Sequence, residues 1–97
     1  MPTYIALLNW TQQGVQNVKD SPSRLEKAKA AMKAAGGEMK AFYMTMGQYD
    51  MVAVIEAPND EAYAKTILAI SSAGGVRSQT LRAFTEDEYR KIVGSLP

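Results

Sequence analysis

The segment TYIALLNW, residues Thr3 to Trp10, places Tyr4, Ala6, Leu8 and Trp10 on one side of an extended chain and Ile5 and Leu7 on the other. A strand formed here needs apolar cover on both faces. The stretch MVAVI repeats the feature, with Met51, Ala53 and Ile55 alternating with Val52 and Val54. Both strands therefore belong at the centre of a sheet, and the remaining segments must supply its edges and two layers of cover.

The segment SPSRLEKAKAAMKAAGG carries helix punctuation: Ser21 as N-cap, Pro22 at the first helical position and Gly36 where a left-handed C-terminal residue belongs. Leu25, Ala28, Met32 and Ala35 recur at helical steps, and Arg24, Glu26, Lys27, Lys29 and Lys33 fall elsewhere around the helix. A second helix opens at Asn59, with Asp60 and Glu61 in its first turn, turns Tyr63, Ile67 and Ile70 inward, and ends at Gly74. Between the helices, Glu38 to Met46 and Gln48 to Ala57 read as two strands joined by a turn at Gly47, too close together for anything but a hairpin. Val76 to Phe84, interrupted by Arg77, Ser78, Gln79, Thr80 and Arg82, suits a sheet edge. Thr85 and Glu88 form a capping box for a last helix bearing Tyr89, Ile92 and Val93. The polar stretch TQQGVQNVKD reads as a loop, either a connection or a pocket rim.

The order is βαββαβ with a C-terminal helix, an α+β fold with an antiparallel four-stranded sheet. In this ferredoxin-like arrangement the first and third strands are central. Two helices cover one sheet face only, and a second copy of the chain is the simplest cover for the other. Length supports that expectation. Residues 1–97 form a single domain, and a domain of this size buries only about 60 to 70 % of its unfolded surface. Without cysteine, neither disulfides nor a thiolate metal site can supplement the core. Without histidine, the commonest general base and metal ligand is missing as well.

Charge excludes further classes. The net charge of +1 is spread along the chain, and the basic residues of the first helix have no aromatic residues interleaved with them, which argues against nucleic acid. No apolar stretch approaches the roughly 20 residues of a membrane span. The N-terminus lacks the basic start of a signal peptide, so the cytoplasm is the expected compartment.

Gly47, Tyr49 and Asp50 stand together at the mouth of the third strand. Taken with QGVQNVKDSPSR, VIEAPNDEA and VRSQTLRAFTEDE in this order, they make the chain resemble the GYD domain family of small bacterial and archaeal proteins, over nearly its full length. The resemblance implies a dimeric ferredoxin-like α+β barrel in which two sheets pack face to face. It implies no established activity. Similar domains include the effector-binding domains of leucine-responsive regulators and small cofactor-free monooxygenases.

From the residues, Gly47 is a structural turn, whereas Tyr49 and Asp50 either stabilise that turn or contact a ligand. Asp50 is expected either to accept backbone amide hydrogen bonds across the turn or to pair with Arg77 or Arg82, on another strand or another subunit. Candidate ligand-binding residues between the sheets are Tyr49, Asp50, Trp10, Tyr43 and Arg82, with no catalytic residue, metal or cofactor assigned. The expected function is a small-molecule-binding or sensory homo-oligomeric domain whose ligand is apolar or of mixed polarity. One alternative is a cofactor-independent, monooxygenase- or isomerase-like enzyme using Asp50, Glu56 or a tyrosine as base. Another is a purely structural oligomer.

Overall fold

The computed structural model describes residues 1–97. Strands β1 (Thr3–Trp10), β2 (Glu38–Met44), β3 (Met51–Glu56) and β4 (Val76–Ala83) form one antiparallel sheet in the order β2-β3-β1-β4. The two strands that are apolar on both sides are thus central. The helices are α1 (Gln12–Gln16), α2 (Ser21–Ala34), α3 (Asp60–Ser72) and α4 (Glu86–Gly94).

Side-chain alternation divides the sheet into two unlike faces. Helices α2 and α3 cover the face carrying Tyr4, Ala6, Ala53 and Ile55, all buried together with Met32, Ala57 and Tyr63. Leu8, Met39, Phe42 and Ile67 pack around this cluster. The Tyr4 and Tyr63 rings stack at 4.0 Å. The other face carries Ile5, Leu7, Val52, Val54 and, by the register of Leu81 opposite Ile5, Leu81. Nothing in the chain covers it, and the molecule measures only 17 Å along its shortest axis.

Several elements differ from the sequence reading. The stretch expected to be a loop contains α1 and a 3-10 turn at Val18–Asp20. Its cause is non-local: the Thr11 hydroxyl caps α1 by accepting from the Gly14 amide at 3.1 Å, and Thr11 is itself fixed to the Gly74 and Gly75 carbonyls. Gly14 packs so closely on Gly75 that a Cβ there would overlap the Gly75 carbonyl. Ser21 is not the N-cap but the first residue of α2, and its hydroxyl accepts from the Trp10 indole N–H at 3.2 Å. The hairpin strands are also shorter, separated by Thr45 to Asp50 rather than by a tight turn at Gly47 alone.

Other end signals coincide with the structure. Asn59 accepts from the Ala62 amide at 2.8 Å, the capping box of Thr85 and Glu88 is complete, and Gly36 and Gly74 terminate their helices with positive φ. Helix α4 buries none of its residues and leaves Tyr89, Ile92 and Val93 exposed, as is Leu96 just beyond it.

Candidate functional site

The β2–β3 loop meets the end of β1. The Asp50 backbone amide donates to the Leu8 carbonyl at 2.9 Å and to the Asn9 side chain at 3.0 Å. Its carboxylate accepts from the Trp10 amide at 3.0 Å. Asp50 thereby extends the β1–β3 ladder one step beyond the last strand pair, with a side-chain oxygen replacing a backbone carbonyl. Across the loop, the Thr45 amide donates to the Asp50 carbonyl at 2.7 Å and the Thr45 hydroxyl to the Tyr49 carbonyl at 2.6 Å. Gly47 sits at the exposed tip with φ +129, a backbone angle that other residues rarely adopt, and no neighbouring atom lies where its Cβ would be.

Tyr49 lies over the open face. Its hydroxyl donates to the Gln79 side-chain carbonyl at 2.6 Å, spanning β1 to reach β4. Tyr49, Gln79, Arg77, Asn9, Gln48 and Leu7 surround a shallow depression with Ser78, of about 260 Å3. Tyr43, opposite Val52, also belongs to the open face and is exposed.

The five candidate residues are not brought together within one chain. Trp10 and Arg82 belong to the helix-covered face, at opposite ends of β1. Trp10 pairs in register with Val76, and Arg82 with Tyr4. The period of two along each strand decides this: Arg82 opposite Tyr4 shares the Tyr4 face, whereas Tyr49 reaches Gln79, three residues earlier on β4. Asp50 makes no ion pair with Arg77 or Arg82 within the chain: Arg82 lies on the other face, and the Asp50 carboxylate is engaged by the Trp10 amide; the ion pairs involve Lys29, Lys40 and Arg90. Arg82 instead lies over the Phe84 ring at 4.7 Å and the Tyr4 ring at 5.7 Å. It also donates to the Thr3 carbonyl at 3.4 Å and to the Ala83 carbonyl. Sequence reasoning did not single out Gln79 or Asn9. Their signal is a position opposite or beside Leu7, readable only once the β1–β4 register is known.

Burial and a hydrogen bond to Asp60 push the Tyr4 hydroxyl up to about 12. Burial also raises Tyr63, against a hydrogen bond with Thr80 that lowers it. Both shifts move away from neutrality.

The GYD domain family model matches residues 4–93. The chain belongs to the GYD domain family. A Thermus thermophilus protein described as a glutamine synthetase and cystathionine beta-lyase binding protein is 32% identical over 84 residues, covering 86% of this chain and 88% of the relative. Among solved structures, a feast or famine regulatory protein from M. tuberculosis complexed with L-methionine superposes with a TM-score of 0.64 at 18% identity, over 90% of this chain and 54% of its own. A solved Thermus thermophilus protein superposes with a TM-score of 0.57 at 24% identity, over 88% of this chain and 95% of its own. The chain thus spans about half the length of the mycobacterial regulator, and the likeness establishes a shared ferredoxin-like fold. No helix is long and apolar enough to cross a membrane.

Proposed function

We propose that this GYD domain is a small-molecule-binding, sensory homo-oligomer in which two copies close over their open sheet faces. The observation that carries this reading is the uncovered apolar face of Ile5, Leu7, Val52, Val54 and Leu81. Large apolar surfaces of this kind are rarely left in water, and a two-fold contact buries the same patch on both copies. The depression at Tyr49, Gln79 and Arg77 lies on that face, so closure would enclose polar donors and acceptors beside apolar walls, as a small mixed-polarity ligand requires. The methionine complex of the mycobacterial structural neighbour supports an amino acid as the ligand class.

The binding reading is favoured over the enzymatic alternative. Asp50, the foremost candidate base, is engaged with a backbone amide, and the raised tyrosines lie far above the range of a base working near neutral pH. The Thermus thermophilus relative favours a second reading, docking onto metabolic enzymes. The amphipathic and unburied α4 is the surface best suited to it.

Light scattering of the chain and of Leu7→Asp tests the assembly: the parent should be a dimer or a multiple of dimers, and the variant a folded monomer. A monomeric parent at micromolar concentration overturns it. Thermal shift with L-methionine and a panel of amino acids tests the sensing. A stabilisation lost in Tyr49→Phe supports the site, and none from any amino acid leaves a structural oligomer or an enzyme-docking domain.

A further inference from the structure

On the covered side, α2 and α3 leave a cleft between them above the buried layer of Ala6 and Ala53. This groove of about 290 Å3 is floored by the half-buried Leu8, Met39 and Phe42 and walled by Ala28 and Ala31 on α2 and Ala69 on α3. Alanine stands where larger side chains would interdigitate, so the space is built into the sequence. No acidic side chain lines it.

Along the N-terminal half of α2 three donors line the groove: Ser21, Arg24 and Lys27. Ser21 accepts the Trp10 indole N–H at 3.2 Å, which leaves its own hydrogen to donate. Arg24 is held by the carbonyls of Asn17, 3.1 Å from Nη1, and Gly14, 3.4 Å from Nη2, and its Nε has no acceptor in the protein. The guanidinium lies along Gly75, where a Cβ would come within 3.2 Å of Nε. Neither Arg24 nor Lys27 has a carboxylate partner.

We infer that this groove binds a free medium-chain monocarboxylate, its hydrocarbon between the alanine walls and its carboxylate on Ser21, Arg24 and Lys27. An apolar trough lined by donors without acceptors matches an amphipathic anion. A zwitterion would leave its ammonium unpaired there, which separates this ligand class from the amino acid proposed for the open face. The volume, near the lower end of small-molecule pockets, suits a chain of roughly ten carbons. The site lies on the other side of the sheet from the proposed sensory site and does not rest on it.

Trp10 is the only tryptophan and bonds directly to Ser21, so its fluorescence reports on the donors. Decanoate and decanol are titrated into the full chain by fluorescence and calorimetry. The expected result is saturable decanoate binding, one per chain, weakened about tenfold or more in decanol and in Arg24→Gln, since each removes a charge-assisted pair. Ala28→Leu should abolish it by filling the groove from the α2 wall. Ala69→Leu, on the more exposed wall, makes the same test should the Ala28 variant fail to fold.

Four results overturn the inference. One is the absence of saturable binding to the whole chain. A second is equal affinity for decanol or for Arg24→Gln. The third is binding lost in Leu7→Asp but kept in Ala69→Leu, which would move the ligand to the open face. Cross-linking of α4 to α2 between copies, with no decanoate bound, gives the groove to a helix instead and also overturns it.

Discussion

The two faces of the sheet are built from the same strands yet solve different problems. On β3, Ile55 points into the helix layer and is 2% exposed, whereas its neighbour Val54 points to the open face and is only half-buried. On β4, Thr80 bonds to Tyr63 from the covered side, and adjacent Gln79 bonds to Tyr49 from the open side. Fold stability is concentrated on one face and surface for association on the other. Substitutions one residue apart should therefore differ in kind as well as in size.

The largest difference is expected at Ile55 and Val54. Ile55→Ala removes a fully buried side chain from the core and should cost about 2–5 kcal/mol in a urea titration. Val54→Ala should cost less at low protein concentration, with a penalty that grows with concentration if a second copy covers it. A concentration-independent loss at Val54 as large as that at Ile55 would break the distinction between the faces.

Gly47 sharpens the comparison at the loop that joins β2 to β3. An ordinary left-handed turn would tolerate asparagine there, because asparagine visits the region near φ +57. The observed φ of +129 lies well beyond that region. Gly47→Asn and Gly47→Val should both destabilise, by about 1–3 kcal/mol if the backbone is retained. The open space around Gly47 leaves backbone strain as the sole cause. A markedly milder loss for asparagine in denaturant would mean that the loop relaxes towards the left-handed region.

The covered face also predicts an alkaline limit. The Tyr4 hydroxyl, raised to about 12 in the folded chain by burial and by Asp60, ionises near 10 when unfolded. Its contribution is complete below pH 10 and falls as the pH climbs towards 12, because the unfolded state releases its proton first. Tyr63, raised in the same direction, adds to the slope. Thermal melts across this range should show the decline in the parent and a shallower one in Tyr4→Phe. A parallel decline in both would assign alkaline loss to other groups.

Much of the architecture was legible because it rests on local signals. Alternation in TYIALLNW and MVAVI placed the central strands, and Asn59, Thr85 with Glu88, Gly36 and Gly74 marked helix ends. What escaped depends on contacts distant in sequence. Helix α1 forms because Thr11 docks on Gly74 and Gly75, and Ser21 is drawn from a capping role into a bond with Trp10. The candidate site suffered most, since grouping Trp10 and Arg82 with Tyr49 required the β1–β4 register. That register puts Arg82 opposite Tyr4, on the covered face.

The smallest effects expected are those of two tyrosine hydroxyls. Tyr63→Phe removes a bond to Thr80 at 2.8 Å beside a buried ring and should cost about 0.5–1.5 kcal/mol. Tyr49→Phe removes a shorter bond, 2.6 Å to Gln79, but on a surface where water can replace the lost partner. In dilute solution its cost should be at most about 0.5 kcal/mol, within the range of surface substitutions. If two copies close over the open face, water is excluded there and Gln79 is left unsatisfied, so the Tyr49→Phe penalty should rise with protein concentration while the Tyr63→Phe penalty stays constant. Denaturant titrations of both variants at low and high concentration measure this directly. Equal, concentration-independent losses would mean that the Tyr49 corner stays in water, outside any contact between copies.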